Sequence, residues 1–157
     1  MRWRSVCNWI NLSTPAGLGV ARLGRCGVRR GPEHLWLAED YRLGVPIAGA
    51  FTLGNVVITP HTFDVLLKQN PDLLHHEAAH ATQWAILGPL FLPLYTGAMA
   101  WAWLRSGDRA SHNVFETAAG LEHGGYRRSA TRDLASAASS LMDRWRKTSP
   151  ATSDGLP

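Results

Sequence analysis

Residues 73 to 84 read LLHHEAAHATQW, and within six positions they hold His75, His76, Glu77 and His80. On an α-helix, His76 and His80 lie one turn apart and project from the same face. Two imidazoles so placed can fill two corners of a tetrahedral zinc site. Glu77 follows the first of them and is not itself placed as a ligand. Its carboxylate is placed to take a proton from water that a metal has made acidic, the role of a general base. His75 is about 100° away around the helix and should point elsewhere. The competing reading is a histidine pair, in a core or on a surface, that holds no metal.

Such a site needs a third protein ligand and one open position. The downstream candidates are His112, Glu116, Glu122 and His123. The stretch SHNVFETAAG places Glu116 on a short apolar helix, where a carboxylate needs a partner and a cation supplies one. An exposed glutamate with ordinary helix propensity is the alternative.

The elements that must position these groups are legible in outline. Residues 35–41, LWLAEDY, read as a strand followed by a turn at 42–46. Residues 48–60, AGAFTLGNVVITP, are rich in β-branched and aromatic types, and Gly54-Asn55 is either a hairpin turn or a kink. Residues 60–70 read as a short helix ended at Asn70-Pro71. A longer helix starts after Asp72, the expected N-cap, and stops at Gly88-Pro89. Further helices are expected from Val114 to Leu121 and over about 130–146, followed by a disordered tail.

Residues 85–104 carry no charge over 20 positions, the length a bilayer crossing requires. Gly88, Pro89 and Pro93 interrupt that run, so the expectation is a helix packed under the histidine helix, with membrane insertion as the alternative.

At 157 residues the chain should form one domain, and 45% hydrophobic with 18% charged residues reads as globular. The net charge is +4, and arginine supplies 14 of the 16 basic residues. Arg2, Arg4, Arg22, Arg25, Arg29 and Arg30 crowd the first 30 positions, which contain no acid. This basic arm suits anionic lipid or nucleic acid, or simply a solvated face, and no nucleic-acid motif accompanies it. Cys7 and Cys26 follow no metal or disulfide spacing, which points to a reducing compartment. Polar residues interrupt the N-terminal apolar run, so no signal peptide is expected. The expected localisation is cytoplasmic, with membrane association left open through residues 85–104.

HEAAH followed 36 positions later by a glutamate resembles the gluzincin zinc metallopeptidases of the thermolysin-like and HtpX-like kind. Their third ligand heads an E-x-x-A-D motif, matched by Glu116, Thr117, Ala118 and Ala119 until Gly120 replaces the aspartate. Residues 50–59, AFTLGNVVIT, are similar to the edge strand that pairs with substrate peptide in those enzymes. With Gln83, H-E-x-x-H-x-x-Q is also similar to the small metallopeptidase-like domain of contractile injection-system proteins.

The resemblance implies one zinc held by His76, His80 and Glu116, Glu77 as base, and Ala50 and Phe51 along a peptide or protein substrate. Tyr126, His123, His112 and Glu122 are the candidates for oxyanion contact or for support of the ligands. Gly49 and Gly120 depart from the pattern, where the family has a substrate-holding asparagine and a histidine-orienting aspartate. A catalytically silent zinc-binding module and a membrane-associated protein are therefore the rival readings. The implied fold is α+β: a small antiparallel sheet or hairpin with its edge strand over the HEXXH helix, packed on further helices. The corresponding division is a basic segment at 1–34, a minimal metallopeptidase domain at 35–147 and a tail at 148–157.

Overall fold

The computed structural model describes residues 2–44 and 49–133. In chain order, α1 (Arg2–Ile10) and α2 (Ser13–Leu23) precede β1 (Gly27–Arg30), and β2 (Trp36–Glu39) follows a single tight helical turn. The hairpin β3 (Phe51–Leu53) and β4 (Val56–Ile58) comes next. Then come α3 (Phe63–Gln69), α4 (Leu73–Leu87), α5 (Phe91–Ser106) and α6 (Val114–Ala119). The architecture is α+β, as expected. The sheet is mixed rather than antiparallel: its order is β1-β2-β4-β3, and β2 runs parallel to β4. A parallel neighbour requires a crossover between the two strands, which local patterning does not announce.

β4 explains the layering. Val56, Val57 and Ile58 are all fully buried because β4 is an inner strand covered on both faces. Alternation sends Val57 to one side, where it meets Leu35, Leu37, Phe63, Ala78 and Ala81. Val56 and Ile58 point to the other side, against Ala21 of α2, Ala38 and Tyr41. Each large side chain buried here contributes about 1.5–3 kcal/mol. The turn between β3 and β4 is the two-residue kind, with Gly54 at φ 63°. β3 is left as an edge strand, and α4 lies against it.

α1 is built inside out. Its buried residues are Arg4 and Asn8, whereas Trp3, Val6, Trp9 and Ile10 are exposed. The polar stripe at positions 4, 8 and 11 feeds the backbone of α4. Arg4 Nη1 donates to Ala78 O at 3.0 Å, Asn8 Nδ2 to Ala81 O at 2.8 Å, and Asn11 Nδ2 to Trp84 O at 3.0 Å. The segment set apart at 1–34 thus contributes two helices and a strand that hold α4 and the sheet.

Three local expectations are corrected. Asp72 does not cap α4 with its side chain; its own N–H donates to Asn70 Oδ1 at 3.2 Å. Pro93 does not interrupt α5, because it falls in the first turn, where proline is tolerated. Residues 85–104 do not form a covered core helix, since only Phe91 and Ala102 of α5 are buried. Taken as one span, Leu73–Ser106 is long and apolar enough to cross a membrane. The helix expected over 130–146 lies, from residue 134 on, outside the described residues, as does the tail. Part of the turn at 42–46 lies outside them too.

Candidate metal centre

α4 delivers His76 and His80 to one point. Their ring centroids are 4.6 Å apart, and the two Nε2 atoms are separated by 3.1 Å. Glu116, from α6, completes the group: its Oε2 is 3.2 Å from His76 Nε2, and its Oε1 is 3.4 Å from His80 Nε2. All three residues are buried, and their ligating atoms lie within 4.8 Å of one another.

The surrounding hydrogen bonds show what this cluster requires. His76 Nδ1 sits 3.1 Å from Gly120 O, an acceptor only, so Nδ1 carries the hydrogen. His80 Nδ1 sits 2.9 Å from Gln83 Oε1, whose identity as oxygen follows from Gln83 Nε2 donating to Phe115 O at 2.9 Å. Each neutral ring therefore presents a lone pair at Nε2. With both rings neutral, two such lone pairs and a carboxylate converge with no hydrogen between them. Glu116 Oε2 accordingly has no hydrogen-bond donor although it is buried.

A cation at the centre would reconcile all three. Tetrahedral coordination at about 2.0–2.1 Å places ligand atoms about 3.3 Å apart, and the observed separations of 3.1, 3.2 and 3.4 Å match that spacing. The residues present fit a metal ion.

The carboxylate is kept ionised. Burial alone would raise the Glu116 pKa, but positive charge shared with the two imidazoles, as protons or as a bound cation, and the Tyr95 hydroxyl outweigh it and hold the group well below the usual carboxylate range. Tyr95, on α5, donates its hydroxyl to Glu116 Oε1. Phe91, Tyr95 and Phe115 pack ring against ring at 5.3–6.1 Å, closing this side of the cluster to water.

The other side is open. A cleft of about 190 Å³ is bounded by Gly49 and Ala50 ahead of β3, by His76 and Glu77, and by residues 124–126. Glu77 is 4% exposed, and Thr52 Oγ1 of β3 donates to its Oε2 at 2.6 Å. Gly124 permits this closeness: a Cβ there would sit 2.6 Å from His76 Cε1.

The remaining candidates separate clearly. Tyr126 borders the cleft, with its ring 6.1 Å from that of His76. Partial burial and then the charges of Glu116 and Glu77 push its phenol up to about 12, so it stays a proton donor. Glu122 and His123 instead line a separate hollow of about 390 Å³ beyond Gly120. His112 is 2.9 Å from Ser129 O. None of these three contacts the ligand group in the way expected of a supporting residue; the Gly120 carbonyl and Gln83 do that. Of the two strand residues, Ala50 borders the cleft, whereas the Phe51 ring packs edge-on to Tyr41 at 5.4 Å. His75 points outward, 4.0 Å from Glu33 Oε1, its side chain 72% exposed.

Sequence reasoning missed Tyr95 and Thr52 as partners of the two glutamates. Tyr95 left a trace: with Thr96 it is one of two side-chain hydroxyls in the uncharged run at 85–104. Thr52 left none, because only strand pairing brings it under Glu77. Comparison with known protein families, with characterised proteins and with solved structures finds no match to this chain.

Proposed function

We propose that the protein is a zinc-dependent peptidase whose reaction takes place where the cleft meets His76 and Glu77. The observation that carries this reading is the buried convergence of two Nε2 atoms and a carboxylate, with a second carboxylate beside them facing a cleft. His76, His80 and Glu116 would hold the zinc. A ligand set of two histidines and one glutamate is the composition used by catalytic zinc, which keeps a fourth position open, whereas structural zinc favours cysteine. Zinc held there supplies Lewis acidity toward water and toward the scissile carbonyl.

This chain's own residues do the rest. Glu77 Oε1 takes the proton from the attacking water and returns it to the leaving amine nitrogen. Thr52 fixes the Glu77 carboxylate by binding its other oxygen. The Gly120 carbonyl holds the His76 ring in the tautomer that ligates, so the absence of an aspartate at 120 leaves that ring supported. Tyr126 is the donor placed to meet negative charge developing on the carbonyl oxygen. An extended peptide would run beside Ala50, at the start of the edge strand.

The test is zinc analysis together with chelator-sensitive cleavage of a mixed peptide library, read by mass spectrometry. Glu77→Gln should keep full zinc and lose about 100- to 10,000-fold in cleavage, the contribution of a positioned base. Equal cleavage by parent and Glu77→Gln would overturn the mechanism. Zinc without any cleavage would favour a silent binding module.

A further inference from the structure

Among the described residues, α5 exposes a large apolar surface. Its inner stripe of Phe91, Tyr95, Ala98, Met99 and Ala102 is buried or half-buried, and Phe91 and Tyr95 contact Phe115 of α6. A helix of this kind in water carries polar residues on its opposite face. Here the rest of the helix surface, on both flanks of that stripe and opposite it, carries Leu92, Leu94, Trp101, Trp103 and Leu104, each about half exposed. The surface continues past the α4–α5 turn through Ile86 and Leu90, at 69% and 65% exposure. It reaches the end of α1 as well: Asn11 is bonded to Trp84 O, and its neighbours Ile10 and Leu12 are 75% and 66% exposed. Apolar continuity on this scale marks an interaction surface.

Charge identifies the partner. The C-terminal end of α5 gathers cations: Arg105 lies over the Trp101 ring at 5.9 Å, and Arg109 is exposed just beyond. The Arg132 N–H donates to Arg105 O at 2.6 Å, which brings a third arginine to the same end. Two acids lie near them: Asp108, half-buried, accepts from the N–H groups of Ala110 and Ser111, and Asp133 follows Arg132, so the three arginines leave this end net positive. Tryptophan and arginine at one end of an apolar helix is the arrangement that suits the headgroup zone of a bilayer. A protein partner would meet the leucines as well but has no comparable use for that end. At 16 residues α5 is about 24 Å long. A hydrocarbon core is about 30 Å thick.

We propose that the outer face of α5, with Ile86 and Leu90, seats the protein on an anionic lipid bilayer, with α5 lying along the surface rather than crossing it. The inner face of the same helix presents Tyr95 to Glu116, so the candidate metal centre sits one side chain away from the lipid-covered helix. This proposal does not depend on zinc or on peptidase activity.

The test is flotation of the full chain, diluted from mild detergent, with phosphatidylcholine vesicles made with and without phosphatidylserine. The parent should float with the phosphatidylserine vesicles, more weakly at high salt. Leu92→Glu combined with Leu94→Glu should reduce flotation at least about tenfold. The Tm of this variant, read in detergent, should match the parent's, since both side chains face outward. Arg105→Glu combined with Arg109→Glu should abolish the preference for phosphatidylserine. A parent that stays with the unbound fraction, or a leucine variant that floats as well as the parent, would overturn the proposal. A parent that sediments as a dimer without floating, and is made monomeric by the leucine changes, would assign the face to a second copy instead.

Discussion

α4 and α5 follow one another across a three-residue turn, and they treat water in opposite ways. α4 buries two histidines and a glutamate, while α5 exposes leucines and tryptophans. Hydropathy would have arranged them the other way round. In α4 the anomaly is explained by partners: Gly120 O and Gln83 hold the histidine rings, Thr52 holds Glu77, and three lone-pair donors point at one spot. In α5 one face is explained by Tyr95 and its neighbouring rings, and the other is covered by nothing among the described residues. Side chains placed against their own polarity in α4 point to an ion. In α5 they point to a surface.

The contrast can be broken most severely at α4. If a metal is what the buried cluster is for, His80→Ala should lose essentially all zinc at micromolar concentrations, and elemental analysis of protein purified without chelator should report it. Zinc content unchanged by His80→Ala would show that these buried groups pair with one another instead. Next in size is the hydrogen bond by which α5 supports the cluster through Glu116 of α6. Tyr95→Phe keeps the ring and removes the hydroxyl from Glu116; loss of such a supporting bond typically weakens metal affinity by about 10- to 100-fold. Competition against a chromogenic chelator would measure it, and full affinity in Tyr95→Phe would mean the hydroxyl plays no part in holding the carboxylate.

A smaller effect is expected where α1 supports α4. Asn8 is 0% exposed and bonds both Asn55 Oδ1 and Ala81 O, so Asn8→Ala strands buried acceptors. The expected destabilisation is about 1–3 kcal/mol, read from the urea midpoint. An unchanged midpoint would mean that water replaces the amide and that the inside-out packing of α1 contributes little. The smallest effect sharpens the comparison within α4 itself. His75→Ala should retain full zinc, because His75 faces solvent near Glu33. A loss like that of His80→Ala would show that the histidines act in a different register.

Much of this was legible from residue types and spacing. The strand over 35–41, the apolar hairpin, the helices near 60–70 and 72–87, and the short helix of Glu116 all correspond to observed elements. The signal in each case is local: period two against period 3.6, closed by glycine or proline. α1 was not legible, for a physical reason. Arg4, Asn8 and Asn11 look like interruptions of an apolar run, and they become a buried face only because α4 offers carbonyl oxygens to receive them. The parallel pairing of β2 with β4 was hidden for a related reason, since strand order depends on contacts between segments.

By itself, the sequence determined that His76 and His80 share one face of a helix, because a 3.6-residue turn leaves them nowhere else to go. It also determined that Glu77 sits beside them and that Glu116 sits on a short apolar helix. Only the tertiary structure decided that Glu116, rather than His112, Glu122 or His123, meets the histidines, since α6 has to pack against α4 for its carboxylate to arrive. It decided as well that a backbone carbonyl at Gly120 holds the His76 ring. Every residue but proline brings the same donor and acceptor to the backbone, so residue type does not say where a carbonyl will point; the path of the chain does.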